Sequence, residues 1–397
     1  MTPAARLQAV IEILALGGPE PLDRQLKGWF RARRFAGAKD RRAITGRVYD
    51  IFRHRARFAH RMASDAPRAL VISSLLAEGE DPEFLFSGGY GPQPLTDSER
   101  GAIAHPPKDM PAWVEGEFPA WLEGEFTRAF GKSCLEELRA FQMRAPVDLR
   151  VNRLKATREE VASALREDGI ACAQIEDLPD ALRCAPESAL TDHSLYRSGA
   201  FEIQDASAQR CVTLCKARPG MRVLDLAAGA GGKSLALAAA MQNRGEIIAC
   251  DIRGAALKEL ERRAARAGVS IIRTHLLGAP PQGPFDLVLL DAPCSGSGTW
   301  RRQPELKWRL TPERLSQLRK TQDRLLQEAA RAHGTRLIYV TCSILPSENE
   351  NRIEAFLATG PRYRRAEADF HATPLHGGGD GFYAAILEPN GSPPTAS

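Results

Sequence analysis

The chain has 397 residues, 43% of them hydrophobic and 26% charged, with a net charge of +5. That length allows roughly two or three domains of about 100–200 residues, with ample apolar content for a sizeable core. No stretch is long and apolar enough to span a bilayer, and the N-terminus lacks the apolar core of a signal peptide, so no membrane partner is expected. The eight cysteines are scattered without CxxC pairs. Cys211 and Cys215 sit one helical turn apart with no second ligand pair, and the histidines form no constellation, so no metal is expected. Free thiols in a reducing cytoplasm are the simplest reading.

Residues 1–140 read as a helical domain. "AARLQAVIEILALGG" has apolar residues at helical spacing and ends on a glycine pair, and "DRRAITGRVYDIFRHRARFAHRM" carries Ile44, Val48, Ile51, Phe52 and Phe58 on one stripe. From Arg24 to Arg61 the basic residues, Lys27, Arg31, Arg34 and Arg41 among them, face only Asp40 and Asp50. Such a surface suits a phosphate backbone, and a solvated helix face is the plain alternative. Residues 145–215 read as a small α+β subdomain, in which Thr157 and Glu160 form a capping-box signature at a helix start. Residues 216–390 alternate strand and helix, which predicts a doubly wound, Rossmann-like α/β sheet. Residues 391–397 read as a disordered tail.

In "VLDLAAGAGGKS" an apolar strand runs into a glycine-rich turn that opens a helix. Gly229, Gly231 and Gly232 let backbone approach a ligand, and the helix start offers N–H groups to an anion. A second strand ends at Asp251, about 20 residues on, where an acid can take a ribose. A triphosphate loop needs glycine where Ala227 stands, and a dinucleotide site needs a third glycine where Ser234 stands. S-adenosylmethionine, with a carboxylate, a ribose and no pyrophosphate, is the better fit.

The next two strands end in cysteines. "FDLVLLDAPCSGSGT" puts Asp291 and Cys294 just past one carboxyl end, and "RLIYVTCSILPSENE" puts Cys342 past the other. If the strands are neighbours, both thiols face the crevice of the glycine loop. A lone cysteine there is usually structural, but two in polar turns suit covalent catalysis. Thiolate addition to carbon 6 of a pyrimidine makes carbon 5 nucleophilic enough to attack a methylsulfonium.

The strings "DAPCSGSGTWRRQPELKW" and "TCSILPSENE", with "SGAFEIQDASAQ" and "DGFYAAIL", resemble the Sun/Fmu (RsmB-like) family of S-adenosylmethionine-dependent RNA cytosine-5 methyltransferases, from about Val147 to Glu388. The resemblance implies a class I methyltransferase domain, with Cys342 as nucleophile and Cys294 assisting product release. Asp291 would contact the cofactor or base, and Ala227, Ala228, Gly229, Ala230, Gly231, Gly232 and Lys233 would form the cofactor loop. Lys233 would also lie near the reacting groups, and Asp251 would bind the ribose. Ribosomal RNA is the implied partner, with transfer RNA as the alternative. The helical region is similar to a reduced NusB-like RNA-binding domain. Two departures stand out: Ala227 and Ala230 replace the family's cysteine and proline. The segment "RTHLLGAPPQGP" also lacks the usual adenine-side aspartate, leaving His275 or backbone for that task.

Arg301 and Arg302 follow the Cys294 turn and are expected to hold a target phosphate. Arg150 and Asn152 are expected to line an RNA channel. Trp300 and Trp308 are read as packing residues first and base-stacking ones second. A DNA cytosine-5 methyltransferase would use the Pro-Cys turn as nucleophile and leave the second thiol without a role. Glu348-Asn349-Glu350 resembles an acidic motif of that class but lies at a helix start, and is discounted. A non-catalytic RNA-binding assembly factor should have lost a thiol or the loop, and this chain keeps both. A monomer is expected.

Overall fold

A computed structural model of the chain describes all residues except 19, 187, 189, 279, 280, 282, 333–335, 361 and 392–397. Nearly all of the expected tail, and part of the loop after the third parallel strand, thus lie outside the described residues. The chain divides into two compact units, one of Met1–Gln142 with Trp300–Leu310, the other of Met143–Thr299 with Thr311–Ser397.

The first unit is helical. Its opening helix, Pro3–Leu16, buries Leu7, Val10 and Ile13 and stops at Gly17. The single stripe read over residues 40–62 is in fact two helices, Ala38–Arg53 and Arg55–Met62, broken at His54. Ile44, Val48 and Ile51 are nonetheless fully buried, packing with Val71, Ile72 and Leu75 of Pro67–Ala77. The segment 300–310 belongs to this unit, which its local sequence does not announce. Trp300 is buried edge-on to Phe126 at 5.9 Å. Trp308 Nε1 donates to the Phe52 carbonyl at 2.7 Å, and Lys307 Nζ to that of Arg53 at 3.0 Å. Both tryptophans therefore pack, as expected.

The second unit holds two sheets. The smaller is antiparallel and contains β1 (Val147–Val151), β2 (Cys172–Gln174), β3 (Ala181–Cys184) and β4 (Phe201–Ile203) in the order β2-β3-β1-β4. Helix Arg158–Glu167 packs on it through Val161 and Leu165 and starts at the expected Thr157–Glu160 capping box. Cys172 and Cys184 fall directly opposite each other on β2 and β3 and form a disulfide. This corrects the expectation of free thiols throughout: antiparallel register brings together two cysteines twelve residues apart in sequence.

The larger sheet contains β5 (Arg222–Asp225), β6 (Glu246–Asp251), β7 (Ile272–Leu276), β8 (Leu287–Asp291), β9 (Leu337–Thr341), β10 (Tyr363–Arg365), β11 (Phe370–Ala372) and β12 (Phe382–Pro389). The order is β10-β12-β9-β8-β5-β6-β7, with β11 on β12. Strands β5 to β9 pair in parallel, while β12 runs antiparallel to β9. The doubly wound α/β expectation is met. The unbroken apolar runs of β8 and β9 are what strands covered on both faces require, and all of Leu287–Leu290 and Leu337–Val340 are buried. From β5 the chain winds outward through β6 to β7, then returns to place β8 on β5's other side. That reversal opens a crevice at the carboxyl ends of β5 and β8.

Candidate active site

The chain leaves β5 at Asp225 and turns into helix Gly232–Ala240. Gly231 has φ +79°, and a Cβ there would lie 2.4 Å from Leu260 Cγ, so only glycine allows the tight turn. Beside it, Asp251 Oδ2 accepts the Gly229 N–H at 2.9 Å, and its Oδ1 accepts the Arg253 N–H at 2.8 Å and Nε at 3.0 Å. Burial opposes the charge on Asp251, but the guanidinium and the backbone N–H groups outweigh it and hold the carboxyl below the usual carboxylate range. Ala228 N donates to the Cys250 carbonyl at 2.8 Å, and the Ala230 carbonyl accepts from Arg263 at 2.8 Å, while Ala227 packs against the core. The loop is thereby fixed by groups outside it.

Two apolar side chains flank Asp251 on this rim, Ile252 after β6 and Leu276 at the end of β7, 72% and 62% exposed. His275 is also exposed on β7, and no acid replaces the missing aspartate in the described part of that loop. An anchored carboxylate, a helix start and an apolar rim thus lie together on this side of the crevice.

Lys233, in the first turn of the helix, donates to Asp291 Oδ2 at 2.6 Å and lies 5.4 Å from the Phe382 ring centre. Burial disfavours the ammonium, but Asp291 outweighs it and lifts Lys233 above the usual lysine range. Asp225, the acid that closes β5, is fully buried and accepts the Ser234 hydroxyl at 2.6 Å. Burial pushes its carboxyl up to about 7.

Strands β8 and β9 are parallel neighbours, so the turns that follow them lie side by side. Cys294 Sγ and Cys342 Sγ are 3.4 Å apart, both half-buried and free. The bond to Cys342 and burial raise the Cys294 thiol well above its ordinary value, so it keeps its proton at neutral pH and can donate it to Cys342 Sγ. Gly298 fastens the turns: its N–H donates to the Cys342 carbonyl at 2.9 Å, and its own carbonyl accepts from Gly381 at 2.8 Å. A Cβ on Gly298 would lie 1.9 Å from the carbonyl oxygen of Gly381.

Beneath the thiols is a residue that sequence reasoning set aside. Glu348 is fully buried. Its carboxylate accepts the Ser295 N–H at 2.9 Å and hydroxyl at 2.5 Å, the Ser343 hydroxyl at 2.6 Å and Gln322 Nε2 at 3.0 Å. Asn349 bonds Thr341 Oγ1 at 2.6 Å and the Ser343 carbonyl at 2.9 Å. One buried acid thus spans both cysteine turns. The available signal was that each cysteine is followed by a serine, a pair of donors that needs a shared acceptor.

Several expected RNA contacts are turned inward instead. Arg150 is buried and donates to Gln204 Oε1 at 2.6 Å. Asn152 is buried and donates to the carbonyls of Gly199 and Ala267, each at 2.9 Å. Arg301 is buried within the helical unit, where its carbonyl accepts from Arg53. None of these three side chains offers surface to a phosphate, because β-sheet alternation and long-range packing fixed their direction. Arg302 is half-buried. Among the described residues no group of three His, Cys, Asp or Glu side chains is placed to hold a metal, and no helix is long and apolar enough to cross a membrane.

Comparison with known proteins agrees with this fold. The family model described as 16S rRNA methyltransferase RsmB/F matches residues 212–388, and that of the RsmF/B-like ferredoxin-like domain matches residues 118–190. The second match begins ahead of the boundary near residue 145 read from the sequence. Ribosomal RNA small subunit methyltransferase B of Klebsiella pneumoniae is 34% identical over 279 residues, 66% of this chain and 63% of that protein. The probable methyltransferase B of Synechocystis is 36% identical over 241 residues, 58% of this chain. The match spans only 54–63% of the length of these two relatives. Among solved structures, PH0851 superposes with a TM-score of 0.79 at 27% identity, covering 98% of this chain and 99% of that one. NSun6 from Pyrococcus horikoshii with SFG gives 0.62 at 18% identity, covering 69% and 99%, and shows a shared fold. Residues 212–388 thus carry an RsmB/F-type methyltransferase domain, and residues 118–190 the ferredoxin-like domain that goes with it.

Proposed function

We propose that the chain is a cytoplasmic, monomeric RNA (cytosine-5)-methyltransferase acting on ribosomal RNA through a covalent adduct on Cys342. The observation that carries this reading is the pair of free thiols 3.4 Å apart beside the Lys233–Asp291 pair and the glycine loop.

Cys342 adds as thiolate to carbon 6 of the target cytosine, forming the S–C bond and shifting the ring electrons onto carbon 5. Asp291 faces the ring at nitrogen 3, and the Lys233 ammonium bonded to it offsets the negative charge that develops there. S-adenosylmethionine, bound by the Gly229–Gly232 loop and Asp251, supplies a methyl group on a sulfonium. After transfer a water at the crevice takes the proton from carbon 5, the carbon 5–carbon 6 double bond re-forms, and Cys342 leaves as thiolate. Cys294 assists this release by carrying a proton beside the departing sulfur. A target base within a helix has first to be flipped out, since neither thiol can reach carbon 6 in a stacked pair. The retained thiols and loop favour catalysis over a binding-only assembly factor, and ribosomal RNA is preferred to transfer RNA because the curated relatives are named for it.

The test is a gel. Wild type, Cys294→Ala and Cys294→Ala/Cys342→Ala are expressed in a bacterial host and denatured. The expected result is a slow, nuclease-sensitive protein–RNA band with Cys294→Ala that disappears in the double variant. A band that requires Cys294 instead would reverse the two roles and favour the DNA-type arrangement. Sequencing the trapped RNA identifies the target.

A further inference from the structure

The small sheet reaches the glycine loop through two residues of one strand end. Arg150 on β1 and Glu202 on β4 stand directly opposite each other in the antiparallel register. Glu202 is buried and accepts from Arg263 at 2.9 Å, and Arg263 in turn donates to the Ala230 carbonyl at 2.8 Å. Arg150 Nε donates to Gln204 Oε1 at 2.6 Å. Gln204 follows β4 and is only 8% exposed. Its backbone is tied on both sides, the N–H donating to the Asp148 carbonyl at 3.0 Å and the carbonyl accepting from Gln209 Nε2 at 2.8 Å.

A guanidinium has donors and no acceptor, so the bond from Arg150 settles which end of the Gln204 amide is which. The oxygen faces Arg150, and Nε2 is turned the other way, toward the start of helix Gly232–Ala240. A Cβ on Gly232 would lie 3.7 Å from it, in ordinary van der Waals contact. Among the described residues nothing accepts from Gln204 Nε2. Nor does anything there accept from the backbone N–H groups of Gly232, Lys233 and Ser234, the orphan donors of a first helical turn. Leaving a nearly buried amide donor unpaired is unfavourable unless a ligand completes it. Four unmet donors beside one helix start are a seat for an anion.

We propose, on the reading of the chain as an S-adenosylmethionine-dependent methyltransferase, that Gln204 donates its Nε2 N–H to the carboxylate of the cofactor's amino-acid end. That carboxylate is the cofactor's one anionic group, and Asp251, itself an anion, repels it and suits the ribose hydroxyls instead. The small sheet thereby supplies a ligand-binding side chain to a loop that belongs to the large one, and Arg150 sets its direction.

The test is calorimetry of the full chain with two ligands. S-adenosylhomocysteine keeps the amino-acid carboxylate, and methylthioadenosine keeps the adenosine and the sulfur but lacks it. Gln204→Ala should weaken S-adenosylhomocysteine about tenfold or more, the worth of a hydrogen bond to a charged group, and leave methylthioadenosine within about twofold. Gln204→Glu keeps an acceptor for Arg150 but sets a carboxylate oxygen where the donor was. It should weaken S-adenosylhomocysteine further than alanine does, again with methylthioadenosine unmoved. Unchanged affinity for S-adenosylhomocysteine in Gln204→Ala would overturn the proposal, as would an equal loss of both ligands, the mark of a deformed loop. A wild-type chain that binds neither ligand would overturn it together with the cofactor reading beneath it. Because the readout is binding, a chain that traps no RNA adduct yet shows the selective loss upholds this contact while the covalent chemistry fails, so the two are told apart.

Discussion

The strand-end crevice and the surface around Phe30 treat charge in opposite ways. In the crevice Lys233 is bonded to Asp291, Asp251 to Arg253, and Glu348 to four donors. Around Phe30 four cations, Lys27, Arg31, Arg34 and Arg41, share a concavity, and among the described residues no carboxylate pairs with them. Charges satisfied within the chain hold groups still, and charges left unsatisfied are available to recruit. The crevice spends its polar groups on geometry, and the helical unit keeps its own for a partner.

The sharpest way to break the crevice is to remove its nucleophile. Cys342→Ala should reduce methyl transfer by about a thousandfold or more, read as tritium incorporation into ribosomal RNA, with the fold intact by circular dichroism. Next comes the buried acid under the thiols. Glu348→Ala strands the Ser295, Ser343 and Gln322 donors and should cost about 3 kcal/mol in urea unfolding, whereas Glu348→Gln, which keeps an acceptor, should cost less. If Glu348→Gln also restores turnover lost in Glu348→Ala, the residue is a positioning one. Retention of full stability by Glu348→Ala would show that the network holds nothing.

A subtler test uses pH. The Asp225 carboxyl is pushed up to about 7 in the folded chain from an ordinary 3.8. Between those values the native state binds more protons than the unfolded one, so this residue makes stability fall as pH rises from about 4 to about 7. Below about 4 the effect is absent, and above about 7 its full penalty remains. Asp225→Asn should therefore gain stability over wild type at pH 8 and not at pH 4, as urea titrations at both values would show. The smallest effect sharpens the comparison from the other side. Arg31→Ala removes an unpaired surface cation and should change stability by no more than about 0.5 kcal/mol, while Arg68→Ala, which breaks a bonded pair with Glu99, should cost more.

The sequence was informative where the relevant period is local. Alternation of strands and helices, the apolar runs of β8 and β9, the glycine turn and the Thr157 cap are each written within a few residues, and all are present in the structure. What it hid depends on partners far away in the chain. The bond from Arg53 to the Arg301 carbonyl spans 248 positions, and nothing in "WRRQPELKW" marks that segment as part of the helical unit. Arg150 and Asn152 were expected to line an RNA channel because the Gln204, Gly199 and Ala267 groups that absorb them are invisible to local pattern. Glu348 was set aside because it stands at a helix start, while its donors come from both cysteine turns and from Gln322 in helix Pro312–Arg331.

The path of the chain through the helical unit also bears on its synthesis. The polypeptide leaves that unit after Gln142, builds β1 through β8, and only then supplies Trp300–Leu310. On the ribosome the first domain to be started is therefore not the first to be finished. It waits, with the seat for Trp300 against Phe126 unfilled, until most of the second unit has been translated. A chain truncated near residue 142 would emerge with that apolar seat open, so the helical unit is a poor candidate for expression on its own.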